Sequence, residues 1–394
     1  MREVDFTPEN VCQQWMLVKG FWKDFERQTI GLVKGSLEQV LQAEVSHRIG
    51  GARYERVVDR RDYRNGSYVR ELLTSYGWIR GLRVPRVRGG GIETVVFEKY
   101  RRRQRQVDVV LLEAFLLGHS TRKTGRLFRR LFSDAVSAQT VSGIVKALDA
   151  QVEGFHRRPL SDDYRVVYLD GLWVTLSKPV KTKKVVLVAM GVHPDGRKEL
   201  LDFQITTSES ESCWWGFLAA LKQRGVRTIE VVVSDGSSGL IKALQGVYPR
   251  AAHQHCVFHK AMNLGAHLET PRHRHRIITD ALHVFEVTAT TETAVRKRLQ
   301  QFVGRWLYRE PRAVRLFLKG IDACFVYLRY PEPLRTSLKT NNPIERYIEE
   351  LRRRIIPMRS FNNSQSAERI IYGIITYVLN HEPDMPEREF TQVA

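Results

Sequence analysis

Two acidic residues follow directly after apolar runs that are typical of buried strands. Asp170 ends the run RVVYLD, and Asp235 ends the run TIEVVVSD. A lone carboxylate is costly to bury, and α/β proteins place their sites at the carboxyl ends of sheet strands. Two carboxylates that converge there repel each other unless a cation lies between them, and Mg²⁺ prefers such oxygen ligands. The alternatives are a turn residue before Gly171 for Asp170 and, for Asp235, the cap of the helix that Gly236 begins.

A third acidic residue, Glu345, lies near the predicted start of a helix. The segment TNNP at 340–343 breaks the chain, and the helical pattern IERYIEELRRR follows it. With Asn342 as the N-cap and Pro343 as the first helical residue, Glu345 takes the third helical position, where a capping box places a glutamate. A purely structural Glu345 is therefore an alternative to a Glu345 that binds a metal ion.

The elements that would position these acids follow one another in an order typical of an α/β layer. The pattern predicts three strands in a meander, then a helix, a fourth strand, a second helix and a fifth strand. In chain order these are strands 165–170, 183–192 and 198–206, helix 209–225, strand 228–235, helix 239–247 and strand 251–258. From residue 259 to residue 339 the pattern is helical, and helices at 344–354 and 367–380 close the fold.

The net charge of the chain points to a polyanionic partner. Its 63 Lys and Arg residues outnumber its 43 Asp and Glu residues, which gives a net charge of +20. Such a field attracts nucleic acid or an anionic membrane surface. No stretch approaches about 18 apolar residues, and the N-terminus has no apolar signal-peptide core, so we expect a cytoplasmic, nucleoid-associated protein with no membrane partner. The four cysteines are widely spaced, which fits a reducing compartment.

Half of the excess positive charge lies between Arg48 and Arg105, where 16 basic residues stand against 6 acidic ones. Three short strands are predicted there, at 67–75, 78–87 and 92–98, separated by turn signals at 76–77 and 89–91. Arginine with interleaved aromatic residues suits phosphate contact and base stacking, although a solvated charged face is the alternative. The arginines that we expect to contact DNA are Arg80, Arg83, Arg86, Arg88, Arg101, Arg102 and Arg103.

Helical patterns flank this basic region on both sides. Before it, Phe21 to Ile49 predicts an amphipathic helix for packing or dimerisation. After it, Val107 to Val152 predicts three short helices, with caps at Ser120 or Thr121 and at Ser137. Three short helices suit a helix-turn-helix module. A plain helical bundle fits the pattern equally well, and the neighbouring basic region favours DNA binding.

Six short motifs follow one another along the chain. They are RNGSY at 64–68, VPR at 84–86, GHSTR at 118–122, strand-Asp-Gly at 166–171, VVSDG at 232–236, and TNNPIE at 340–345 before an arginine-rich helix. This combination resembles the Mutator-like transposases of bacterial insertion sequences, over roughly residues 45–380. Those proteins are DDE enzymes on an RNase H-like core. The resemblance implies that Asp170, Asp235 and Glu345 are catalytic, metal-binding residues, with the third acid on a helix after an all-helical insertion.

The resemblance implies a multidomain fold of the α+β or α/β class. An RNase H-like mixed sheet with helices is interrupted by an all-helical insertion and preceded by a basic DNA-binding region with short strands and a helix-turn-helix. The implied segments are an N-terminal helical segment at 1–50, a basic β-ribbon at 51–106, a helix-turn-helix-like domain at 107–155, the first part of the core at 160–256, the insertion at 257–340, the second part of the core at 341–382 and a tail at 383–394.

The resemblance also implies phosphoryl transfer on DNA. Two Mg²⁺ ions about 3.5–4 Å apart, with Mn²⁺ able to replace them, would clamp the scissile phosphate. The partners would be double-stranded DNA, namely the terminal inverted repeats of an insertion sequence and the target DNA, bound by a homodimer. A transposase-derived DNA-binding protein without catalysis is one alternative, against which the presence of all three acids argues. A structure-selective nuclease on the same core is the other, against which the separate basic region argues.

Two features of the central region carry alternatives of their own. The family has a Cys-x-x-His pair after the second acid, which is present here as Cys256 and His259, and 7 of the 12 histidines lie between 253 and 283. Zinc binding is one interpretation, but no second ligand pair completes the four ligands of a structural zinc, so we expect the pair to shape the site. Trp306 matches an aromatic residue of relatives and either stacks on a base or packs in the core.

Overall fold

The computed structural model describes residues 8–90, 93–98, 100–132, 136–286 and 291–379, without the side chains of 8–19, 131–132 and 377–379. Contacts between residues divide the chain into two compact units. The N-terminal unit runs to Phe115 and includes Ser120–Ile144, and the C-terminal unit contains Leu116–His119 and the chain from Val145 onward. No described helix is long and apolar enough to cross a membrane.

A long helix and a β-hairpin form the core of the N-terminal unit. Helix α1 spans Pro8–Ile49, and the antiparallel strands β1 (Arg64–Thr74) and β2 (Gly77–Val87) are joined by a tight turn. Gly77 follows this turn at φ +117°, a conformation that disfavours any residue with a Cβ. One stripe of α1 packs onto the buried face of the hairpin, in a core of Ile30, Val33, Leu37, Leu41, Leu72, Ile79, Leu82 and Val84.

The strand predicted at 92–98 is wrong for the residues that the structure describes, 93–98, which form no strand. Val96 and Phe97 pack against the hairpin core instead, while Val95 is exposed. Two adjacent side chains cannot both face one core from a strand, because successive side chains of a strand alternate between its two faces. The segment therefore covers the hairpin without extending its sheet.

Four helices follow, where the sequence predicted three. They are α2 (Arg105–Leu116), α3 (Thr121–Phe132), α4 (Ala138–Lys146) and α5 (Asp149–Arg157). Ser120 caps α3 by accepting the N–H of Lys123 at 3.2 Å, and Ser137 caps α4 by accepting the N–H of Thr140 at 3.0 Å. The predicted third helix is interrupted at Leu148, whose backbone stays close to helical (φ −72°, ψ −15°). Apolar spacing alone does not detect such an interruption.

The C-terminal unit is built on a five-stranded mixed sheet with the strand order β5-β4-β3-β6-β7. Strands β3 (Val166–Leu176), β4 (Thr182–Val192) and β5 (Lys198–Thr206) are antiparallel, while β6 (Val231–Ser234) and β7 (Ala252–His255) run parallel to β3. Helices α6 (Glu211–Gln223) and α7 (Ser238–Val247) contribute Trp214, Phe217, Leu240 and Leu244 to the core that they share with the sheet. The predicted mixed sheet with helices is confirmed.

Strand β3 does not end at Asp170, as the sequence predicted, but continues to Leu176. Its antiparallel ladder with β4 is unbroken over its whole length, whereas its parallel pairing with β6 stops at Tyr168. The extension buries further apolar side chains, which outweighs the tendency of Gly171 to weaken a strand. Asp170 therefore lies within β3, just beyond the part that pairs with β6.

Helices and 3₁₀ turns fill the chain between β7 and Lys339, and the described residues there contain no strand, as predicted. The helices are α8 (Val257–Leu264), α9 (Arg274–Val284), α10 (Glu292–Trp306), α11 (Pro311–Leu318) and α12 (Glu332–Lys339). Gln254 on β7 fastens this insertion to the sheet. Its buried amide accepts the N–H of Tyr327 at 2.7 Å and donates to the carbonyl of Cys324 at 3.2 Å. Helices α13 (Asn342–Ile355) and α14 (Ser364–Gly373), the latter prolonged by a π-helical turn at Ile374–Leu379, complete the described part of the unit.

Candidate active site

Asp170, Asp235 and Glu345 meet at the edge of the sheet where the parallel pairing ends. Asp170 lies on β3, Asp235 follows the last residue of β6, and Glu345 lies in the first turn of α13. The pKa of Asp170 is raised to about 7, mainly by burial and further by the charges of Asp235 and Glu345. Such charges act strongly only over short distances. The fold therefore gathers into one site three acids that are far apart in the sequence.

Backbone N–H groups hold the two aspartates in place. The N–H of Gly171 donates to Asp170 Oδ1 at 2.7 Å, and the N–H of Ser237 donates to Asp235 Oδ1 at 3.1 Å. The N-cap of α7 is Ser237, so Asp235 precedes the capping position that the alternative interpretation gave it. Gly236 adopts φ +76°, and a Cβ at this position would lie 2.5 Å from the ring of His255 on β7.

Glu345 does not act as a helix cap. Helix α13 has Asn341 as its N-cap, one residue earlier than predicted, so Glu345 is the fourth helical residue and not the third. Its atom Oε1 is buried and has no hydrogen-bond partner among the described residues. Burial raises the pKa of Glu345, and the nearby charge of His259 opposes that rise only in part. The contacts of Glu345 give no support to the capping interpretation.

Asn341 is a residue of the site that sequence reasoning missed. Its fully buried side chain donates from Nδ2 to the carbonyl of Leu169 at 3.3 Å. Its backbone N–H donates to Cys256 Sγ at 3.3 Å, and its carbonyl accepts the N–H of Glu345 at 2.9 Å. Asn341 therefore ties the start of α13 to the strand that carries the first acid. The TNNP motif signalled a cap, but the prediction chose the second asparagine.

Cys256 and His259 form a cluster with Glu345. One ligand atom from each of the three lies within 4.8 Å of the other two. His259 Nδ1 is 3.2 Å from Glu345 Oε1, without hydrogen-bond geometry. A hydrogen bond with Cys256 raises the pKa of His259 to about 9 against the effect of burial, and the charges of Glu345 and Asp170 add to this rise. This raised pKa favours the imidazolium form at neutral pH, so a metal ion would have to displace a proton from the ring before binding it.

The three acids have the chemistry of a site for a hard divalent cation. They supply only oxygen ligands, and Glu345 Oε1 is buried without a partner among the described residues. In the protein alone, burial and mutual repulsion favour the protonated form of Asp170, and a divalent cation would reverse that preference. The Cys256–His259–Glu345 cluster offers three ligands, one fewer than a structural zinc requires, and His259 would have to lose its proton first. The acids therefore fit a divalent cation better than the cluster fits zinc.

The hairpin arginines, defined as Arg80, Arg83, Arg86 and Arg88, are exposed on β2 and just beyond it in the N-terminal unit. Buried apolar residues of β2 lie between them, but all four arginine side chains reach solvent. The guanidinium of Arg86 lies 4.8 Å from the ring centre of Tyr68, and that of Arg88 lies 5.7 Å from the ring centre of Tyr63. The predicted combination of arginine and aromatic residues is present at Arg86 and Arg88.

The basic run at 101–103 is less uniform. Arg101 and Arg102 are exposed, and Arg101 forms an ion pair with Glu98 at 3.0 Å. Arg103 is half-buried, and its Nε donates to Asp108 at 2.7 Å. Arg101 and Arg102 are thus better placed than Arg103 to reach a phosphate.

Trp306 is fully buried at the end of α10. Its Nε1 donates to Asp280 Oδ2 at 2.8 Å, and the ring of His273 contacts it edge-on with ring centres 5.4 Å apart. An indole enclosed in this way cannot accept a stacked base. The structure therefore favours the packing alternative for Trp306.

Glu209 is a fourth acid beside the site. The sequence pattern predicted only that a helix begins at this residue. A Cβ added to Gly171 would lie 2.6 Å from Glu209 Oε1, so the carboxylate rests directly against β3. Burial raises the pKa of Glu209, the charge of Asp235 raises it further, and a hydrogen bond from Trp173 lowers it. No spacing rule links Glu209 to the aspartates, because their proximity arises only when the sheet forms.

Known proteins resemble this chain over most of its length. The family model described as transposase, Mutator family, matches residues 20–381. The transposase for insertion sequence element ISRM5 of Rhizobium meliloti is 33% identical, over 87% of this chain and 85% of that protein. The transposase for insertion sequence element IS256 in transposon Tn4001 of Staphylococcus aureus is 28% identical over 95% of both chains. The transposase for insertion sequence element IS905 of Lactococcus lactis is 28% identical over 85% of both chains.

Proposed function

The chain belongs to the Mutator family of insertion-sequence transposases, and we propose that it binds the terminal inverted repeats of such an element and catalyses metal-dependent cleavage and transfer of DNA strands. The observation that carries this proposal is the convergence of Asp170, Asp235 and Glu345 at one edge of the sheet. Burial and mutual repulsion disfavour the ionised forms of these three acids in the protein alone. A bound divalent cation would stabilise the ionised forms.

The C-terminal unit is proposed to be an RNase H-like core. Three antiparallel strands lead into two parallel ones, with the first acid on the first strand and the second acid after the fourth. The third acid lies on the helix that follows the helical insertion. This order of strands, acids and insertion supports the assignment that the family resemblance implied.

The carboxylates of Asp170, Asp235 and Glu345 would hold the cations. When bound, Mg²⁺, or Mn²⁺ in its place, supplies Lewis acidity to the scissile phosphate and to the attacking hydroxyl. His259 keeps a positive charge next to Glu345 and Asp170, which favours their ionised forms. Cys256 shapes the site because it receives hydrogen bonds from His259 and from the backbone N–H of Asn341, the N-cap of α13. Its role in this proposal is to position the third acid.

The N-terminal unit is proposed to bind double-stranded DNA. The hairpin arginines are all exposed and present positive charge to solvent along the hairpin. Helix α3 adds a second basic surface, because its apolar residue Phe128 is buried while its basic residues are exposed, namely Arg122, Lys123, Arg126, Arg129 and Arg130. Phosphate contacts of this kind position a protein on DNA and make its affinity depend on salt.

The protein is proposed to act as a homodimer. Phe21, Trp22 and Phe25 on α1 are each more than half exposed (61%, 58% and 52%) and contact one another. Ile30 is the first of the described α1 side chains that packs on the hairpin core, so the three aromatic residues precede that contact. An exposed aromatic cluster on a helix is typical of an interface between protein chains.

Substitution of the acids tests the proposed catalysis. Asp170→Asn, Asp235→Asn and Glu345→Gln should each abolish strand cleavage in Mg²⁺, because each removes one ligand charge, while the affinity for terminal-repeat DNA stays close to that of the wild type. Glu349→Gln is the matched control, since Glu349 is exposed on the same helix and should retain cleavage. Cleavage by a folded Glu345→Gln protein would return Glu345 to a structural role.

The same assay separates the alternatives. A transposase-derived DNA-binding protein would bind the ends without cutting them under any divalent cation. A structure-selective nuclease would cut without preference for terminal repeats and would not join the cut end to a target. Joined products from repeat-bearing ends are the expected result.

A further inference from the structure

Trp173 is an exposed tryptophan on the strand that carries the first acid. It lies three residues after Asp170 on β3, and 54% of its surface is exposed to solvent. At a rise of about 3.3 Å per residue, it is about 10 Å along the strand from Asp170. Nothing in the roles described so far uses this side chain.

The indole of Trp173 is oriented by Glu209. Trp173 and Gly171 are two residues apart on β3 and so share a face of the sheet. The carboxylate of Glu209 lies over Gly171, where a Cβ would be only 2.6 Å from Oε1, and it accepts a hydrogen bond from Trp173. The same carboxylate feels the charge of Asp235. Glu209 therefore contacts Trp173 and lies close enough to Asp235 to feel its charge.

Positive charge lies on the other side of Trp173. In the ladder with β4, Trp173 pairs with Val185 and Thr175 pairs with Lys183. Lys183 is exposed and points to the same face as Trp173, since directly opposed residues share a face. Lys181, in the turn before β4, is exposed as well. An aromatic ring beside ammonium groups suits a nucleotide, whose base stacks while its phosphate pairs with the cations.

We propose that Trp173 is a stacking platform for one base of the DNA strand that leaves the acids, held in orientation by Glu209 and flanked by Lys183. The occupant is a base of the DNA substrate itself. Trp173 lies about 10 Å from Asp170 along the strand and on the opposite face of β3. Since bases are spaced by about 3.4 Å, this base lies about three or more steps from the scissile phosphate. The inference rests on the proposed function, since it assigns a substrate contact to that site.

Abasic substitution tests the stacking directly. The substrates are terminal-repeat duplexes in which a single abasic residue replaces each base in turn near the cleavage position. With intact DNA, Trp173→Ala should cleave about 5- to 150-fold more slowly than the wild type, the range for loss of one stacked base. At one abasic position the wild type should slow by a similar factor, and Trp173→Ala should show no further loss there. Trp173→Phe should keep most of the activity, because it retains a ring.

Two controls separate stacking from damage to the fold. Trp215 on α6 is 46% exposed, and its ring packs over Gly246 of α7. Any loss in Trp215→Ala should therefore be the same on every substrate. A loss in Trp173→Ala that adds to the abasic loss at all positions, or no loss at all, overturns the proposal.

A second measurement does not require cleavage. The base at the position that the abasic series identifies, or at each candidate position in turn, is replaced by 2-aminopurine. The fluorescence of 2-aminopurine falls when the base stacks, and binding is followed in the absence of Mg²⁺. Quenching by the wild type that Trp173→Ala abolishes supports the stacking, even if cleavage fails and the proposed function falls with it. Cleavage by the wild type with no quenching at any position overturns the stacking and leaves the proposed function intact.

Discussion

Removal of the Trp306 side chain should destabilise the C-terminal unit and leave its chemistry in place. The indole is 0% exposed and its N–H binds Asp280 at 2.8 Å. Tyr308, two residues further along, is 97% exposed and provides a matched aromatic control. If Trp306 is a core residue, its loss is a matter of packing energy. If it were a base-stacking residue, its loss would appear in DNA cleavage first.

The size of the effect follows from the burial. Truncation of a fully buried tryptophan to alanine costs about 3–5 kcal/mol of unfolding free energy. Asp280 keeps Arg305 as a partner at 2.9 Å, so its charge stays paired after the substitution and adds no large penalty. For a unit of this size each kcal/mol lowers Tm by about 2–4 °C. Trp306→Ala is therefore expected to lower Tm by about 6–20 °C.

Thermal unfolding followed by circular dichroism, together with cleavage of terminal-repeat DNA well below Tm, makes the comparison. Trp306→Phe should lose the hydrogen bond and a smaller part of the stability, and should cleave at close to the wild-type rate. Tyr308→Ala should change neither quantity. A Trp306→Phe protein with wild-type Tm and strongly reduced cleavage would refute the reasoning and restore the base-stacking role.

Three further outcomes are expected from contacts described above. Replacement of Arg83, Arg86 and Arg88 by glutamine should flatten the slope of log affinity against log salt by up to about 3, at about 0.9 per phosphate contact; an unchanged slope in filter-binding titrations would make these arginines a solvated face. Elemental analysis should find no stoichiometric zinc, because the Cys256–His259–Glu345 cluster offers one ligand fewer than a structural zinc requires. Cys256→Ala should slow cleavage without loss of metal, because Cys256 accepts the N–H of Asn341 and so positions the third acid; one tightly bound zinc per chain that this variant loses would show the opposite. Glu310 is fully buried and accepts two backbone N–H groups and a histidine N–H, which hold its pKa below its ordinary value although burial acts the other way. The stabilisation of the fold by ionised Glu310 should be fully present above about pH 4.3 and should be lost as pH falls through the lowered pKa of the folded state. The Tm difference between wild type and Glu310→Gln should therefore shrink on acidification. A Tm difference that does not change with pH would contradict this prediction.

Strand boundaries were predictable where apolar runs end in turns. Strand β5 spans Lys198–Thr206, the predicted range, because the Pro-Asp-Gly turn precedes it and polar residues follow it. Strand β3 was not predictable in the same way. The Asp170–Gly171 pair is typical of a turn, but the length of the partner strand β4 decides the matter, since it offers hydrogen bonds as far as Leu176. Pairing is a tertiary property that a single segment does not encode.

The residues of the candidate site show the same difference between predictable and unpredictable features. The sequence predicted that Asp170, Asp235 and Glu345 lie at strand and helix boundaries, and the fold brings the three acids together. Asn341 and Glu209 could not be predicted, because each matters through contacts with distant elements, among them the carbonyl of Leu169 for Asn341 and the face of Gly171 for Glu209.

The helical insertion also sets the order in which the site is completed during protein synthesis. Asp170 and Asp235 leave the ribosome together with the strands β3 and β6, whereas Glu345 follows 110 residues after Asp235. At about 5–20 residues per second, that interval lasts about 5 to 20 s. Asn341, which docks the start of α13, emerges equally late. The nascent chain therefore exposes first the N-terminal unit, which is proposed to bind DNA, and for several seconds it contains only two of the three acids. If both proposals hold, we expect the chain to bind DNA before it can cut it, and the length of the insertion sets this delay.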